Sequence, residues 1–331
     1  MNEPVPDFSE KPDLWREAAG ELSPAVRERL RRNEPMRRHT ALRVGGPADY
    51  FFEAINRNEL AEIACVAQKR GLPLFLLGEG SNICVSDAGI RGFVVRNSCA
   101  SAEIGPVTRA DAGHNFMRLF VRTMQAGLSG LEFAVGIPGT VGGALVSNAG
   151  AYRANICDLA RQIEVVEAGE RKAVAPEWMR FSYRDSRLRR DNYPAVLLGV
   201  TLELTPASKT EIRLKAKDFQ WQRILKQPWE PSAGSWFKNV YDSALAESLP
   251  TLPESMKRAG VVPAAYLSEA CDCKGLRRGD AAVSSRHANF LVNCGQATAA
   301  DFLQLAEIVK QRVRERFGQE LEAEVLTVGE A

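Results

Sequence analysis

Pro73-Leu-Phe-Leu-Leu-Gly-Glu-Gly-Ser-Asn82 decides how this chain is read. The apolar run Pro73–Leu77 has the composition of a buried strand, and it leads directly into a loop with Gly78, Gly80, Ser81 and Asn82. A second glycine-rich run, Gly136-Ile-Pro-Gly-Thr-Val-Gly-Gly143, leads into small residues and Asn148-Ala-Gly150. Glycine lets backbone approach a ligand. Such loops can aim several N–H groups at a diphosphate, with Ser81 and Asn82 adding side-chain donors. Neither run contains a Gly-x-x-x-x-Gly-Lys-Ser/Thr loop or a Gly-x-Gly-x-x-Gly opening a helix, so a nucleotide held here is not held in a Rossmann unit. On glycine spacing alone, tight turns account for both runs as well as a phosphate cradle does.

Outward from that loop, strand and helix patterns alternate. Tyr50–Ile55 reads as a strand, and Glu59–Arg70 as a helix with Leu60, Ile63, Ala64 and Ala67 on one face and Gly71 at its end. Ile83–Ser86 and Phe93–Arg96 read as short strands. A second unit starts near Thr108, with a helix over His114–Ala126 and strands at Gln162–Ala168 and Ala195–Leu204. Pro206-Ala-Ser208 marks the expected domain boundary, and a long polar-faced helix follows it. Thr298-Ala-Ala-Asp301 is a capping box that predicts a helix over 299–317, ended by Gly318, before Leu321–Val328 alternates as a last strand. Leu14–Arg32 is charged on nearly every face and reads as a solvated helix or a loose arm.

Length and composition bound the function. The 331 residues suit about two domains, and 45% hydrophobic with 25% charged residues is ordinary for a soluble globular protein, which excludes a disordered, collagenous or coiled-coil chain. Lys+Arg 43 against Asp+Glu 41 gives a formal charge of +2, no field to hold nucleic acid or an anionic membrane, so any anion must be bound locally. No stretch approaches the ~20 apolar residues of a membrane span, and the start lacks an apolar signal core, so a cytoplasmic protein without membrane contact is expected. The seven cysteines read as reduced thiols; only Cys271 and Cys273 are close together, with no second ligand pair, so no metal site is expected.

The motifs occur in a telling order: His39-Thr-Ala-Leu-Arg-Val-Gly-Gly46, Gly78-Glu-Gly-Ser-Asn-Ile83, Gly136–Gly143 with Asn148-Ala-Gly-Ala-Tyr152, Tyr183-Arg-Asp-Ser186, Gly234-Ser-Trp-Phe-Lys-Asn239 and Leu321-Glu-Ala-Glu-Val325. Together they resemble the UDP-N-acetylenolpyruvoylglucosamine reductases, flavoenzymes of bacterial peptidoglycan synthesis. The resemblance implies an α+β fold: a FAD-binding domain of the vanillyl-alcohol-oxidase (PCMH) type made of two α+β subdomains, over 34–206, and a C-terminal α+β substrate-binding domain, over 207–331. Residues 1–33 are then an extension and 240–260 an insertion, and the last strand returns to the active site. The short stretch between Arg184 and Ser235 resembles the subclass lacking the tyrosine-bearing substrate loop. The resemblance further implies non-covalent FAD held by Gly78, Glu79, Gly80, Ser81, Asn82, Ile137, Pro138, Gly139, Thr140, Gly142, Gly143 and Asn148. NADPH is the implied reductant and a UDP-sugar the partner, with no nucleic acid and no obligatory protein partner.

In that family hydride reaches the CH₂ carbon of an enol ether, and negative charge builds on the adjacent carbon and its carboxylate. Arg184 offers a planar, permanently charged fork suited to that carboxylate. Ser235 matches the proton donor, and Glu324 matches the third catalytic position, where a neutral carboxylic acid would hydrogen-bond to the developing charge. Tyr183, Lys238 and Asn239 match substrate-contacting positions, with Lys238 suited to a UDP phosphate. Taken singly these residues have plainer readings: Arg184 lies in a charge run with Arg187, Arg189 and Arg190, Ser235 follows a turn glycine, and Lys238 reads as a surface lysine. Two other functions stay open on the sequence, another FAD-dependent oxidase or dehydrogenase of the same fold and a non-catalytic nucleotide-binding module.

Overall fold

The computed structural model describes residues 12–191 and 193–330, with side chains from Glu17 onward; residues 1–11 of the N-terminal extension lie outside the described residues. The chain divides into two compact units, neither contiguous. The first takes the chain up to Glu34, Ala48–Glu79 and Ile90–Leu225; the second takes Pro35–Pro47, Gly80–Gly89 and Lys226–Ala331. The boundary expected at residue 206 falls instead after Leu225, because the Lys209–Lys226 helix lays Ile212 and Ala216 into an apolar cluster of the first unit. Pro35–Pro47 and Gly80–Gly89, expected in the N-terminal domain, count with the C-terminal unit.

Two α+β halves build the first unit. In one, a sheet runs in the order Arg31–Pro35, Pro47–Ala54, Ile90–Asn97, Leu74–Leu77, its last three strands paired in parallel, with Phe51 opposite Val94 and Leu76 opposite Val95. The crossover is the Arg57–Lys69 helix, whose N-cap Asn56 accepts from the N–H groups of Asn58 and Glu59, both at 3.0 Å. Its Leu60, Ile63, Ala64 and Ala67 share a cluster with Phe52, Phe93 and Val95 from this sheet, and with Val166, Val196 and Leu198 from the next. In the other half, five antiparallel strands run in the order Glu170–Val174, Ala160–Glu167, Ala195–Glu203, Val107–Asp111, Ala102–Glu103. The Phe116–Gln125 helix buries Phe116, Leu119 and Phe120 in the cluster beneath it.

The N-terminal segment is not a loose arm. Ala18 of the Pro12–Glu21 helix, Leu22 in the bend after it and Val26 of the short Pro24–Arg27 helix are 2%, 4% and 0% exposed and join the cluster of the Arg57–Lys69 helix. Arg70 fixes it from outside through ion pairs to Glu17 and Glu21.

A four-stranded antiparallel sheet organises the second unit, in the order Ser232–Ser235, Phe290–Asn293, Ala281–Val283, Arg277–Arg278. The Ala299–Phe317 helix packs Phe302, Leu305, Val309 and Val313 into its core. Its predicted capping box is present: the Thr298 hydroxyl accepts from Asp301 N–H at 3.1 Å, the Asp301 carboxylate accepts from Thr298 N–H at 2.9 Å, and Gly318 ends the helix at φ 67°. Residues 240–260 are folded into the same core. Val240–Tyr241 pairs with Val261–Val262, Asp242 caps the Ser243–Ser248 helix, and Ala246, Leu249 and Leu252 are buried in the main cluster.

The predicted strand Leu321–Val328 is shorter, at Leu326–Val328, and it pairs in parallel with Ile83–Val85. Upstream of it, the N–H groups of both Glu324 and Val325 point at the Trp236 carbonyl, at 2.7 and 3.4 Å, which breaks the alternation and leaves Ala323 exposed.

Candidate active site

The glycine loop at 78–82 is divided between the units after Glu79. On the first-unit side, Gly78 stands so close to Thr140 that a β-carbon there would lie 2.8 Å from the threonine hydroxyl. Glu79 then clamps the second glycine run: one carboxylate oxygen accepts from Asn115 Nδ2 at 2.7 Å and the other from Gly139 N–H at 3.1 Å. Several N–H groups expected to face a diphosphate are used internally. Gly142 donates to the Ala112 carbonyl at 2.6 Å, Gly143 to the Thr140 hydroxyl at 3.1 Å, and Val141 to the His114 carbonyl at 2.9 Å.

Within the first unit, beside the Glu79 clamp, opens a cleft of about 370 Å³, lined among others by Gly78, Arg96, Ser98, His114, Arg118 and Arg122. The arginines come from a strand and a helix far apart in sequence, so no motif marked them. His114 is buried, with Nδ1 at 2.8 Å from the Asn115 carbonyl and Nε2 at 3.3 Å from Arg122 Nη1. Burial above all, with the Arg122 charge adding to it, pushes the imidazole below its ordinary 6.5. The neutral Nδ1–H tautomer satisfies both contacts: it donates to Asn115 and accepts from Arg122. The cleft is lined by three guanidinium groups, of which Arg122 also donates to the Ala102 carbonyl at 2.9 Å and Arg96 lies 3.9 Å from Glu53, while its one lining carboxylate, Glu79, is engaged by Asn115 and Gly139. That donor set fits a diphosphate.

Tyr183-Arg-Asp-Ser186 and Asn148-Ala-Gly150 prove to be one construction. Asn148 Nδ2 donates to the Ser182 carbonyl at 2.9 Å, the Ser186 hydroxyl to the Val146 carbonyl at 2.7 Å, and an Arg184 Nη to the Gly150 carbonyl. Arg184 adopts φ 52°, with its guanidinium 5.3 Å from the centre of the Tyr183 ring. Sequence reasoning missed Arg223, whose guanidinium lies 5.8 Å from the Tyr152 ring centre. Burial first, with the neighbouring Arg184 charge, holds Arg223 below its ordinary range. Two cations side by side favour an anion between or beside them.

In the second unit Ser235 ends its strand opposite Phe290, and the 322–325 segment runs against the residues just after it. Glu324 N–H donates to the Trp236 carbonyl, and Lys238 N–H to the Glu322 carbonyl at 2.8 Å. Asn82 Nδ2 donates to the Glu324 carbonyl at 3.1 Å, and Leu326 N–H returns to the Asn82 carbonyl at 3.1 Å. Gly80, at φ 63°, lets this loop approach His39, whose carbonyl oxygen would lie 2.1 Å from a β-carbon. The unit thus brings Asn82, Ser235 and Glu324 together. Lys238 is ion-paired to Glu322, and the Asn239 side-chain Oδ1 accepts from Ala264 N–H at 3.3 Å. A further residue missed in the sequence is Asn289, 3% exposed: its backbone carbonyl accepts from Trp236 N–H, and its amide brackets Phe237.

Residues 48–171 match the FAD binding domain, so the fold and its basic cleft define a flavin-dependent oxidoreductase. Residues 226–328 match the C-terminal domain of UDP-N-acetylenolpyruvoylglucosamine reductase. A reductase so named from Symbiobacterium thermophilum is 39% identical over 302 residues, covering 90% of this chain and 91% of that one. Another from Moorella thermoacetica is 39% identical, covering 94% and 97%. The crystal structure of the Thermus caldophilus reductase superposes with a TM-score of 0.71 at 32% identity, covering 89% of this chain and 97% of that one. The chain belongs to the UDP-N-acetylenolpyruvoylglucosamine reductase family, whose cofactor is FAD and whose reductant is NADPH.

Proposed function

We propose that this chain carries out its family's reaction, reduction of UDP-N-acetylglucosamine-enolpyruvate to UDP-N-acetylmuramate in peptidoglycan precursor synthesis, with Arg184, Ser235 and Glu324 as its acting side chains. The first unit is the flavin holder: Arg96, Arg118, Arg122 and Asn115 hold the diphosphate, and Gly78 and the Glu79-clamped run shape the wall of its site. When bound, FAD supplies a two-electron carrier that takes hydride from NADPH and passes it to the enolpyruvyl CH₂ carbon. Arg184, with Arg223 adding positive potential, orients the substrate carboxylate and stabilises the charge that builds on it. A protonated Glu324 would donate a hydrogen bond to the developing charge. The Ser235 hydroxyl gives its proton to the carbon next to the CH₂ and recovers one from solvent. Tyr183 and Asn239 contact substrate. At Lys238 a UDP phosphate replaces the Glu322 carboxylate as partner.

The observation that supports this reading is the backbone hydrogen bond from Glu324 to the carbonyl of Trp236, Ser235's neighbour, at 2.7 Å, which brings the two segments carrying the hydroxyl and the carboxyl side by side. The enzyme works in the cytoplasm without nucleic acid or an obligatory protein partner. The test is stopped-flow spectroscopy of the bound flavin. NADPH should bleach it, the enolpyruvyl sugar nucleotide should restore it, and Ser235→Ala should slow only the second phase, by roughly 10²–10⁴-fold. Flavin that reoxidises at the normal rate in both Ser235→Ala and Glu324→Gln overturns the assignment and favours a different flavoenzyme reaction.

A further inference from the structure

The Lys209–Lys226 helix is attached to the first unit by one face only. Ile212 and Ala216 are buried and Phe219 packs on the same cluster, whereas Leu214, Trp221 and Leu225 are 62%, 54% and 68% exposed. At about 100° per residue, the steps of seven and four residues place those three side chains in one stripe roughly 40° wide, on the opposite side of the helix from Ile212 and Ala216. Lys209, Arg213 and Lys217 border the stripe on one side. With Thr210 and Leu214 they line an open depression of about 460 Å³. The helix carries six basic residues against two acidic ones, Glu211 and Asp218. A solvated helix face scatters its apolar residues singly; here a tryptophan and two leucines are aligned, edged on one side by Lys209, Arg213 and Lys217 and on the other by Asp218 and Glu211.

We propose that this stripe docks the enzyme reversibly on an anionic phospholipid bilayer. Trp221 and Leu214, continued by Leu225, enter the head-group boundary, while Lys209, Arg213 and Lys217 lie over lipid phosphates. Charge complementarity favours lipid over a second copy of the chain, because antiparallel self-pairing sets the three basic residues against their own copies. Three side chains also cover far less than the about 800 Å² per partner of a stable dimer. The sequence expectation of no membrane contact gives way to a peripheral one, through a local patch that the near-neutral formal charge of +2 conceals. No helix among the described residues is long and apolar enough to cross a membrane.

Flotation of the full-length, FAD-loaded protein with phosphatidylcholine vesicles, with and without phosphatidylglycerol, tests this. Association with the phosphatidylglycerol vesicles should be tighter by on the order of tenfold or more at low ionic strength, and should fall as salt is added. It should drop to the neutral-vesicle level in Leu214→Glu/Trp221→Glu, and independently in Lys209→Glu/Arg213→Glu/Lys217→Glu. Both variants should keep their melting temperature and NADPH turnover on soluble substrate. Equal association with both vesicle types, none with either, or binding that survives both variants overturns the proposal. So does a concentration-dependent dimer in sedimentation that the Leu214/Trp221 variant abolishes.

Discussion

Asn289 shows how one amide holds the segment just after Ser235 in place. Its side chain accepts from Phe237 N–H at 2.9 Å and donates to the Phe237 carbonyl at 2.8 Å, so both backbone groups of a buried residue depend on it. Asn289→Ala leaves them unpaired and should cost roughly 2–4 kcal/mol in a denaturant titration, with a loss of flavin reoxidation rate out of proportion to any loss of bound FAD. The histidines give a pH dependence of definite sign. His114 and His287 both lie below the ordinary 6.5, chiefly through burial, with Arg122 beside the first and Lys274 and Lys226 beside the second. Below pH 6.5 the unfolded chain takes up protons that the folded chain refuses, so the stability these neutral imidazoles contribute is complete above that pH and is lost as pH falls through it. Melting temperatures from pH 8 to 5 should decline on the acid side; a flat profile sinks the argument. Among the thiols, burial pushes Cys84 and Cys99 up to about 12 and Cys273 to about 11, whereas Cys294 is exposed. Mass spectrometry after brief native alkylation should find label on Cys294 first and on those three last.

Elements were legible where their determinants are local. Thr298 and Asp301 are three residues apart and cap each other, so the Ala299–Phe317 helix could be bounded by inspection; Thr298→Ala should cost about 1 kcal/mol. The Arg57–Lys69 helix was equally plain from its apolar face. The N-terminal helix was misread because its charges outnumber the short series Ala18, Leu22, Val26, and because the surface that receives it, around Leu60 and Ile63, is some forty residues away. Leu22→Ala should lower unfolding stability by roughly 2–4 kcal/mol, a loss a loose arm would not show. The end of the Leu321–Val328 stretch was misread for a related reason: alternation assumes a regular ladder, and the shared Trp236 carbonyl supplies a kink that no local pattern announces. In the candidate site the glycine runs, Arg184, Ser235 and Glu324 were marked by motif, whereas Arg96, Arg118, Arg122 and Arg223 were not, since only the fold places them beside the cleft and beside Arg184.

For the molecule, length predicted about two domains, and two compact units exist, but their composition could not be read from the order of residues. Asn293 Nδ2 donates to the Leu42 carbonyl at 2.9 Å, and Ala299 N–H to Asp87 at 2.9 Å; such bonds recruit early segments into a late unit. Separate cores predict separate melting. Calorimetry of the flavin-free protein should resolve two transitions, and saturating FAD at about 100 times its Kd should stabilise the first unit by about 2.7 kcal/mol. One unresolved transition that shifts as a whole with FAD would contradict independent cores.

The parallel pairing of Ile83–Val85 with Leu326–Val328 has a consequence for how the protein is born. A ribosome adding about 5–20 residues per second needs roughly 10–50 s to reach the second partner after making the first. Throughout that interval Ile83–Val85, each side chain destined for burial, lacks the strand that completes it, and the nascent chain must be shielded or held apart from its neighbours until Leu326–Val328 emerges.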